Sequence, residues 1–467
     1  MALRRASMAI GQELADYALA FSFENLSDRE VHAAKRVLID MLACAIGAYQ
    51  SDSSKIVRAV VEEQGGVPES TVIGSGTRVP CANAALANGA MVRYLDYNDT
   101  YFKSAGKLRL GIHPNELIPA ALAVGERGHS SGEDVITAIV LAYDLAAKFV
   151  DASSARPLES IGWHYSTIAG FIVSLYTGKL LGLSREQLAH AVGIAGVHSA
   201  TLGIIDAAGE AYNMTKNIGL PHVAHGGITA ALLAQKGFTG PARVIEGNKG
   251  FVHTIMSGRY DLDILTAGKR PSAILETDQK KLAAEHTAQG ALNAVLQLVK
   301  EHDLRPEQID RVKLETTTRT AEHTGDVAKR YPDNKETADH SLYYLTAIAI
   351  IDRAVGPGQY TTDRLTSPRV RSLIDKVMVE ANPDLDDFIF AGIAYISTTD
   401  GRELQCRVEY PKGNSRNPMS DEELIEKFQE VALQLMNKER AKQITDSVFR
   451  LDKLSDIGSL MTTLSFV

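Results

Sequence analysis

The sequence is poor in the residues that cross-link chains or grip metals. Its 467 residues hold three cysteines, Cys44, Cys81 and Cys406, far apart and odd in number. They make no CxxC unit and no disulfide framework, so a reducing compartment is expected: the cytoplasm, or the mitochondrial matrix in a eukaryote. A basic excess is missing too. Against 57 Asp and Glu stand 49 Lys and Arg, a net charge of −8. A nucleic-acid partner is therefore not expected. Apolar runs are short: Val135 to Val150 is interrupted by Asp144 and Lys148, too little to span a bilayer. Arg4 and Arg5 sit near the start, but Glu13 and Asp16 follow at once. Transit peptides avoid acids, so this segment reads as a first helix.

Familiar catalytic signatures are absent as well. There is no GxGxxG after a strand, no P-loop, no HExxH and no GxSxG elbow. His222 and His225 lie three apart with no third ligand nearby, which favours packing over a shared metal. No metal and no other cofactor is expected. Any chemistry must come from His, Asp, Lys and Tyr side chains.

What is present is mostly helix. Val31, Ala34, Leu38, Met41 and Ala45 recur on one helical face, and Ser27 with Glu30 makes a capping box before them. Ser184 with Gln187 makes another. Stretches such as ALANGAMVRYLD and AHGGITAALLA are rich in small residues, which lets helices approach closely. Past about residue 268 the pattern changes. Arg311 to Thr318 alternates like a strand, Val377 to Glu380 is a shorter candidate, and Asp400-Gly401 joins two alternating runs into a hairpin. Helices are expected over Ala284 to Lys300, Ser341 to Arg353 and, capped by Ser420 with Glu423, Leu424 to Met436. The fold class is mainly α: a large all-helical domain over 1–268, a smaller inserted α+β domain over 269–413, and a return to the helical domain over 414–467.

Five clusters carry groups fit for chemistry. The first is Asp96, Asn98, Asp99 and Thr100 after an apolar helix, followed by His113-Pro114-Asn115. The second is His164 in GWHYST. The third is Lys216 in NMTKN, ahead of a glycine-rich helix, where a bound anion would offset an unfavourable dipole. The fourth is Lys281 with His286, and the fifth His340 with Tyr344. Helix capping, hydrogen-bonded burial and solvent exposure compete as roles for each; His340 has Asp339 and Ser341 as ready partners. Together they offer histidines and a tyrosine for proton transfer, lysines for carboxylates and aspartates to orient them. That set suits proton abstraction beside a carboxylate.

ANGAMVRYLDYNDT, HPNELIPAALAVGE, AHGGITAALLAQKGFTGPARVIEGNKGF and NKETADHSLYYLTAIAIID, in this order, resemble the MmgE/PrpD family over about residues 10 to 440. The resemblance implies a helical domain carrying an α+β lid domain, a homodimer, and a cleft between the domains. It implies metal-free chemistry on a small polycarboxylate, as in 2-methylcitrate dehydratases, cis-aconitate decarboxylases and iminodisuccinate epimerases. By position, it assigns catalytic roles to Asp96, His113, His164, His286 and Tyr344, and substrate binding to Thr100, Lys216 and Lys281. Three departures stand out: a longer, more basic segment with Lys103, Lys107 and Arg109 before His113, HPNE in place of HPSD, and HSLYYL in place of HSLPYL.

The resulting expectation is a hydro-lyase of propionate catabolism that dehydrates 2-methylcitrate or a close tricarboxylate. Lys216 and Lys281 would neutralise the carboxylate, His113 or His164 would act as base, and the other histidine or Tyr344 as acid. Decarboxylation or epimerisation on the same scaffold is the alternative, and a non-catalytic helical scaffold or binding protein the remote one.

Overall fold

A computed structural model describes residues 8–466 apart from 106–107, 154, 208–211 and 269–270; of 104, 105, 108–110 and 271 it gives the backbone alone. Arg4, Arg5 and Lys107 thus lie outside the described residues, as does the side chain of Arg109. Glu13 and Asp16 belong to a helix, Ile10–Ala20.

The protein is mainly α, with 59% of its residues helical and 9% in strands. Each expected capping box forms: Ser27 with Glu30, Ser184 with Gln187 and Ser420 with Glu423 start helices Asp28–Gly47, Arg185–His198 and Asp421–Ala432. At the centre is helix Cys81–Tyr94, buried along almost its whole length. It packs on helices Asp28–Gly47, Ile118–Arg127 and Gly219–Gln235. Small residues permit this density. A methyl group on Gly227 would fall 2.8 Å from Val173, so the contact between helices Gly219–Gln235 and Ala169–Leu180 depends on that hydrogen.

The helical region is not all helix. Tyr101–Ala105 and Leu108–Ile112 pair antiparallel, Tyr101 opposite Ile112. The long segment before His113 is thus a hairpin, which delivers His113 beside Thr100. A smaller ladder pairs Ser70–Thr71 with Arg78–Val79.

The later part carries one four-stranded sheet. Its order is Val377–Ala381, Ile309–Thr316, Gly392–Thr398, Glu403–Val408. The first pair is parallel and the others antiparallel. Gly401 takes a φ of 88° in the expected hairpin turn, a region open to glycine. Helix Gln289–Glu301 packs over the hairpin, and helix Leu342–Asp352 packs behind it. Helix Asp421–Ala432 then lies against Asp28–Gly47. At that junction Lys427, fully buried, bonds the carboxylate of Asp40 at 2.7 Å and the carbonyls of Tyr97 and Lys280 at 2.8 and 2.7 Å. One C-terminal side chain therefore ties the Asp-rich loop to the segment entering the sheet region.

Candidate active site

The central helix ends at Tyr94, and Asp96 turns the chain back with a φ of 48°. A short polar side chain tolerates that left-handed geometry better than most. The turn places the buried Asp96 carboxylate among cations. Oδ2 receives Arg93 at 2.8 Å and Lys216 at 3.0 Å. Oδ1 receives Lys280, which also donates to the Asp96 carbonyl at 2.8 Å. His340 Nε2 stands 3.7 Å from Oδ2. Burial alone would raise the Asp96 pKa, but Arg93, Lys280 and Lys216 hold it well below the carboxylate range. Asp96 in turn raises the pKa of Lys216 against its burial. In Lys280 burial prevails, and its pKa falls.

The following loop is fixed from behind. Asp99 accepts the Asn115 N–H at 3.0 Å and the Tyr143 hydroxyl at 2.5 Å. Burial and the nearby Asp40 raise the Asp99 pKa well above the usual value. Thr100 exchanges backbone hydrogen bonds with Asp278, at 2.8 and 2.9 Å, joining the loop to the chain that leads into the sheet region.

His113 reads its tautomer from its neighbours. Its Nδ1 lies 2.6 Å from the Asp99 carbonyl and 3.0 Å from the Thr100 hydroxyl. A carbonyl only accepts, so Nδ1 carries the hydrogen and Nε2 keeps its lone pair. Desolvation, with Arg93 and Lys280 nearby, depresses its pKa well below the imidazole value. The ring opens on a cleft of about 580 Å³ of empty space, mouth included. Asp96, Thr100, Lys280, His286 and Asp206 share this wall with it.

His286 enters from the side of the sheet region. It stacks on Phe390 at 4.1 Å and faces Asp278 at 3.6 Å. His164 is buried one layer back, with Nδ1 held by the Ser166 hydroxyl at 2.8 Å and its ring 4.0 Å from that of Tyr165. Burial, reinforced by Arg93 and Lys216 and opposed by Asp206, lowers its pKa to about 4. Tyr165 spans from there to the cleft wall, donating to Glu116 at 2.9 Å. Glu116, buried, is raised to about 7.

Asp96, Thr100, His113 and His286 thus meet in one cleft, with Lys216 bonded to Asp96 directly behind it. His164 lies a layer behind the cleft wall, and two further expected residues stand apart from the cluster. Lys281 is not among the residues lining the cleft: its charge acts on Glu423 and Glu430, its carbonyl accepts the Tyr97 hydroxyl at 3.0 Å, and the lysine that reaches the cluster is Lys280. Tyr344 is fully buried on helix Leu342–Asp352, its hydroxyl donating to the Gln359 carbonyl and its ring 6.2 Å from Tyr360. The side chain from HSLYYL that faces Asp96 is His340. Nor does Lys216 stand as a free anion site, because Asp96 neutralises it. Lys103 pairs with Glu276 at 3.0 Å, both partly exposed.

Arg93, Lys280 and Asp206 were not singled out from sequence. Arg93 follows an apolar run like any helix-end cation. Lys280 differs from Lys281 only in which way packing turns it. Asp206 is brought in because Trp163 bridges Leu202 and His164 N–H bonds the Thr201 carbonyl at 2.9 Å, a pairing without local signal.

Among the described residues, Asp96, Asp339 and His340 bring ligand-type atoms within 4.8 Å of one another. The donor set is already engaged. Arg93, Lys216 and Lys280 neutralise Asp96, and Lys335 lies 2.8 Å from Asp339. A metal ion would have to displace these cations, so the residues do not fit one. His225 bonds Asn83 at 3.1 Å. Among the described residues no helix is long and apolar enough to cross a membrane.

Comparison with known proteins agrees over nearly the whole chain. The cis-aconitate decarboxylase of Aspergillus terreus is 27% identical, covering 98% of this chain and 96% of its own. The Homo sapiens cis-aconitate decarboxylase is 25% identical over 94% and 91%. The 2-methylcitrate dehydratase of Escherichia coli is 23% identical over 89% and 88%. Residues 12–263 match the MmgE/PrpD N-terminal domain and residues 282–452 the MmgE/PrpD C-terminal domain, and the chain belongs to the MmgE/PrpD family.

Proposed function

We propose that this protein is a lyase that dehydrates 2-methylcitrate or a close hydroxy-tricarboxylate. The observation that carries the reading is the tautomer of His113: Nδ1–H given to the Asp99 carbonyl at 2.6 Å, and Nε2 left as a base at the cleft. A proton beside a carboxylate is weakly acidic until that carboxylate is neutralised. Arg93 and Lys280 line the same cleft and supply positive charge there. Lys280, with its depressed pKa, is the acid for the leaving hydroxyl. His286 and Thr100 position the substrate from the two sides of the cleft.

Decarboxylation of a cis-aconitate-like acid is the second reading. It is favoured by the relatives, since the Aspergillus terreus decarboxylase matches this chain at higher identity and coverage than the Escherichia coli dehydratase. Incubating the protein in deuterated water with citrate, 2-methylcitrate, cis-aconitate and iminodisuccinate, and following products by NMR, separates the readings. Dehydration gives an unsaturated acid and water. Carbon dioxide released from cis-aconitate, with no reaction of the hydroxy acids, would replace the first reading by the second.

A further inference from the structure

Four carboxylates line the cleft: Asp96, Glu159, Asp206 and Glu285. Three have partners within the protein. Asp96 is held by Arg93, Lys216 and Lys280. Glu159 pairs with Arg319 at 3.3 Å. Glu285 accepts the Thr287 N–H and hydroxyl, at 2.7 and 2.6 Å, and the Ala288 N–H at 3.2 Å. Asp206 is different. Half-buried at the cleft wall, its carboxylate accepts no hydrogen bond among the described residues, and its Oδ1 is enclosed without a partner.

Asp206 is nevertheless ionised. Burial opposes this, but the positive field of Lys216, His340, Arg93 and His164 outweighs it and holds the pKa far below the usual value. None of these groups gives Asp206 a hydrogen bond. A buried anionic acceptor without a donor is costly, and in a cleft that receives a polyanion it also repels the ligand. The first cost vanishes, and the second is offset in part, if the ligand brings an O–H to this carboxylate. A hydroxy-acid does so; an unsaturated acid of the same carbon skeleton, with every oxygen in a carboxylate, does not.

We propose that Asp206 is a specificity-determining residue that accepts a hydrogen bond from a substrate hydroxyl, so that the cleft selects hydroxylated polycarboxylates over their hydroxyl-free counterparts. The inference rests on the polycarboxylate reading above and adds the recognition element for the group that leaves. Sites built to bond a substrate hydroxyl reject analogues that lack it far more strongly than apolar pockets reject an added one.

The test is a cycle between ligand and residue, read by binding rather than turnover. Citrate and tricarballylate differ by one hydroxyl. Their dissociation constants are measured calorimetrically for the wild-type protein, for Asp206→Ala and for the milder Asp206→Asn, which keeps a neutral acceptor. The wild-type protein is expected to prefer citrate by about 10-fold or more, the usual size of a charge-assisted hydrogen bond. In Asp206→Ala that preference should shrink to near unity, with Asp206→Asn between. A wild-type preference that persists in both variants, or no wild-type preference, overturns the assignment of Asp206 while leaving the polycarboxylate reading intact. Wild-type protein that binds neither acid overturns both.

Discussion

Lys280 holds Asp96 at two points, bonding its carboxylate and donating to its backbone carbonyl at 2.8 Å. A side chain that precedes the sheet region thereby fixes the left-handed turn after the central helix. Its sequence neighbour Lys281 is not among the residues lining the cleft. Replacing Lys280 by alanine should therefore lower kcat/KM by roughly 100-fold or more, since it removes both a cleft cation and a brace on Asp96. Lys281→Ala should stay within about threefold of the parent, as expected for a partly exposed charge. Steady-state kinetics on whichever acid proves to be the substrate distinguish them, and equal losses would sink the distinction.

How far the sequence could reveal this site depends on what each residue needed to be seen. The strand alternation, the Asp-Gly turn and the three capping boxes are local patterns, so the four-stranded sheet and the helix starts were legible. Asp96, Thr100 and His113 were legible because polar groups cluster after an apolar helix. The hairpin between Thr100 and His113 was not, since the longer basic segment there carries no turn signal between alternating runs. Which of Lys280 and Lys281, or of His340 and Tyr344, faces the cleft is a matter of rotation about the chain. Composition leaves that open and packing decides it. Asp206 needed a bridge from Trp163 to Leu202, between segments about 40 residues apart in sequence, which no local pattern announces.

Asp96→Asn should destabilise the protein by about 3–5 kcal/mol near neutral pH, because it leaves Arg93, Lys216 and Lys280 buried without their shared anion. The pH dependence has a definite sign. The folded-state pKa of Asp96 is depressed, so its stabilisation is complete above the unfolded carboxylate value of about 3.9 and is lost as pH falls through the folded value. Denaturant titrations from pH 7 downward should show a constant gap between parent and variant until about pH 4, then a narrowing one. A gap that widened on acidification would contradict the ion-pair cluster.

His113 should govern the acid limb of the rate profile. Its pKa is held well below the ordinary value of about 6.5. The free base therefore persists at pH 6, and kcat/KM should fall only at clearly lower pH. His113→Gln should reduce solvent-deuterium exchange at the acidic carbon by roughly 100- to 10,000-fold, the usual range for a general base. Ordinary exchange in that variant would move the base to another group in the cleft.

The contrast between His340, in the turn before helix Leu342–Asp352, and Tyr344, on that helix, is the sharpest check on which side chain of HSLYYL does chemistry. Tyr344 points into the packed interior, where its hydroxyl donates to the Gln359 carbonyl. Tyr344→Phe removes one buried hydrogen bond and leaves the carbonyl unpaired, so it should cost about 1–3 kcal/mol of stability. At a temperature where both proteins are folded, kcat and KM should be unchanged. His340 lies at the cleft, 3.7 Å from Asp96 Oδ2 and 3.2 Å, through Nε2, from Lys216 Nζ. His340→Gln keeps a polar group of similar reach but loses the imidazole, and it should lower kcat by about 10- to 100-fold with a smaller change in stability than Tyr344→Phe. Measuring both variants by thermal melting and by kinetics gives two readouts that must move in opposite order. If Tyr344→Phe instead lost activity without losing stability, the tyrosine would belong to the catalytic set after all, and the rotation of this helix would have to differ during turnover.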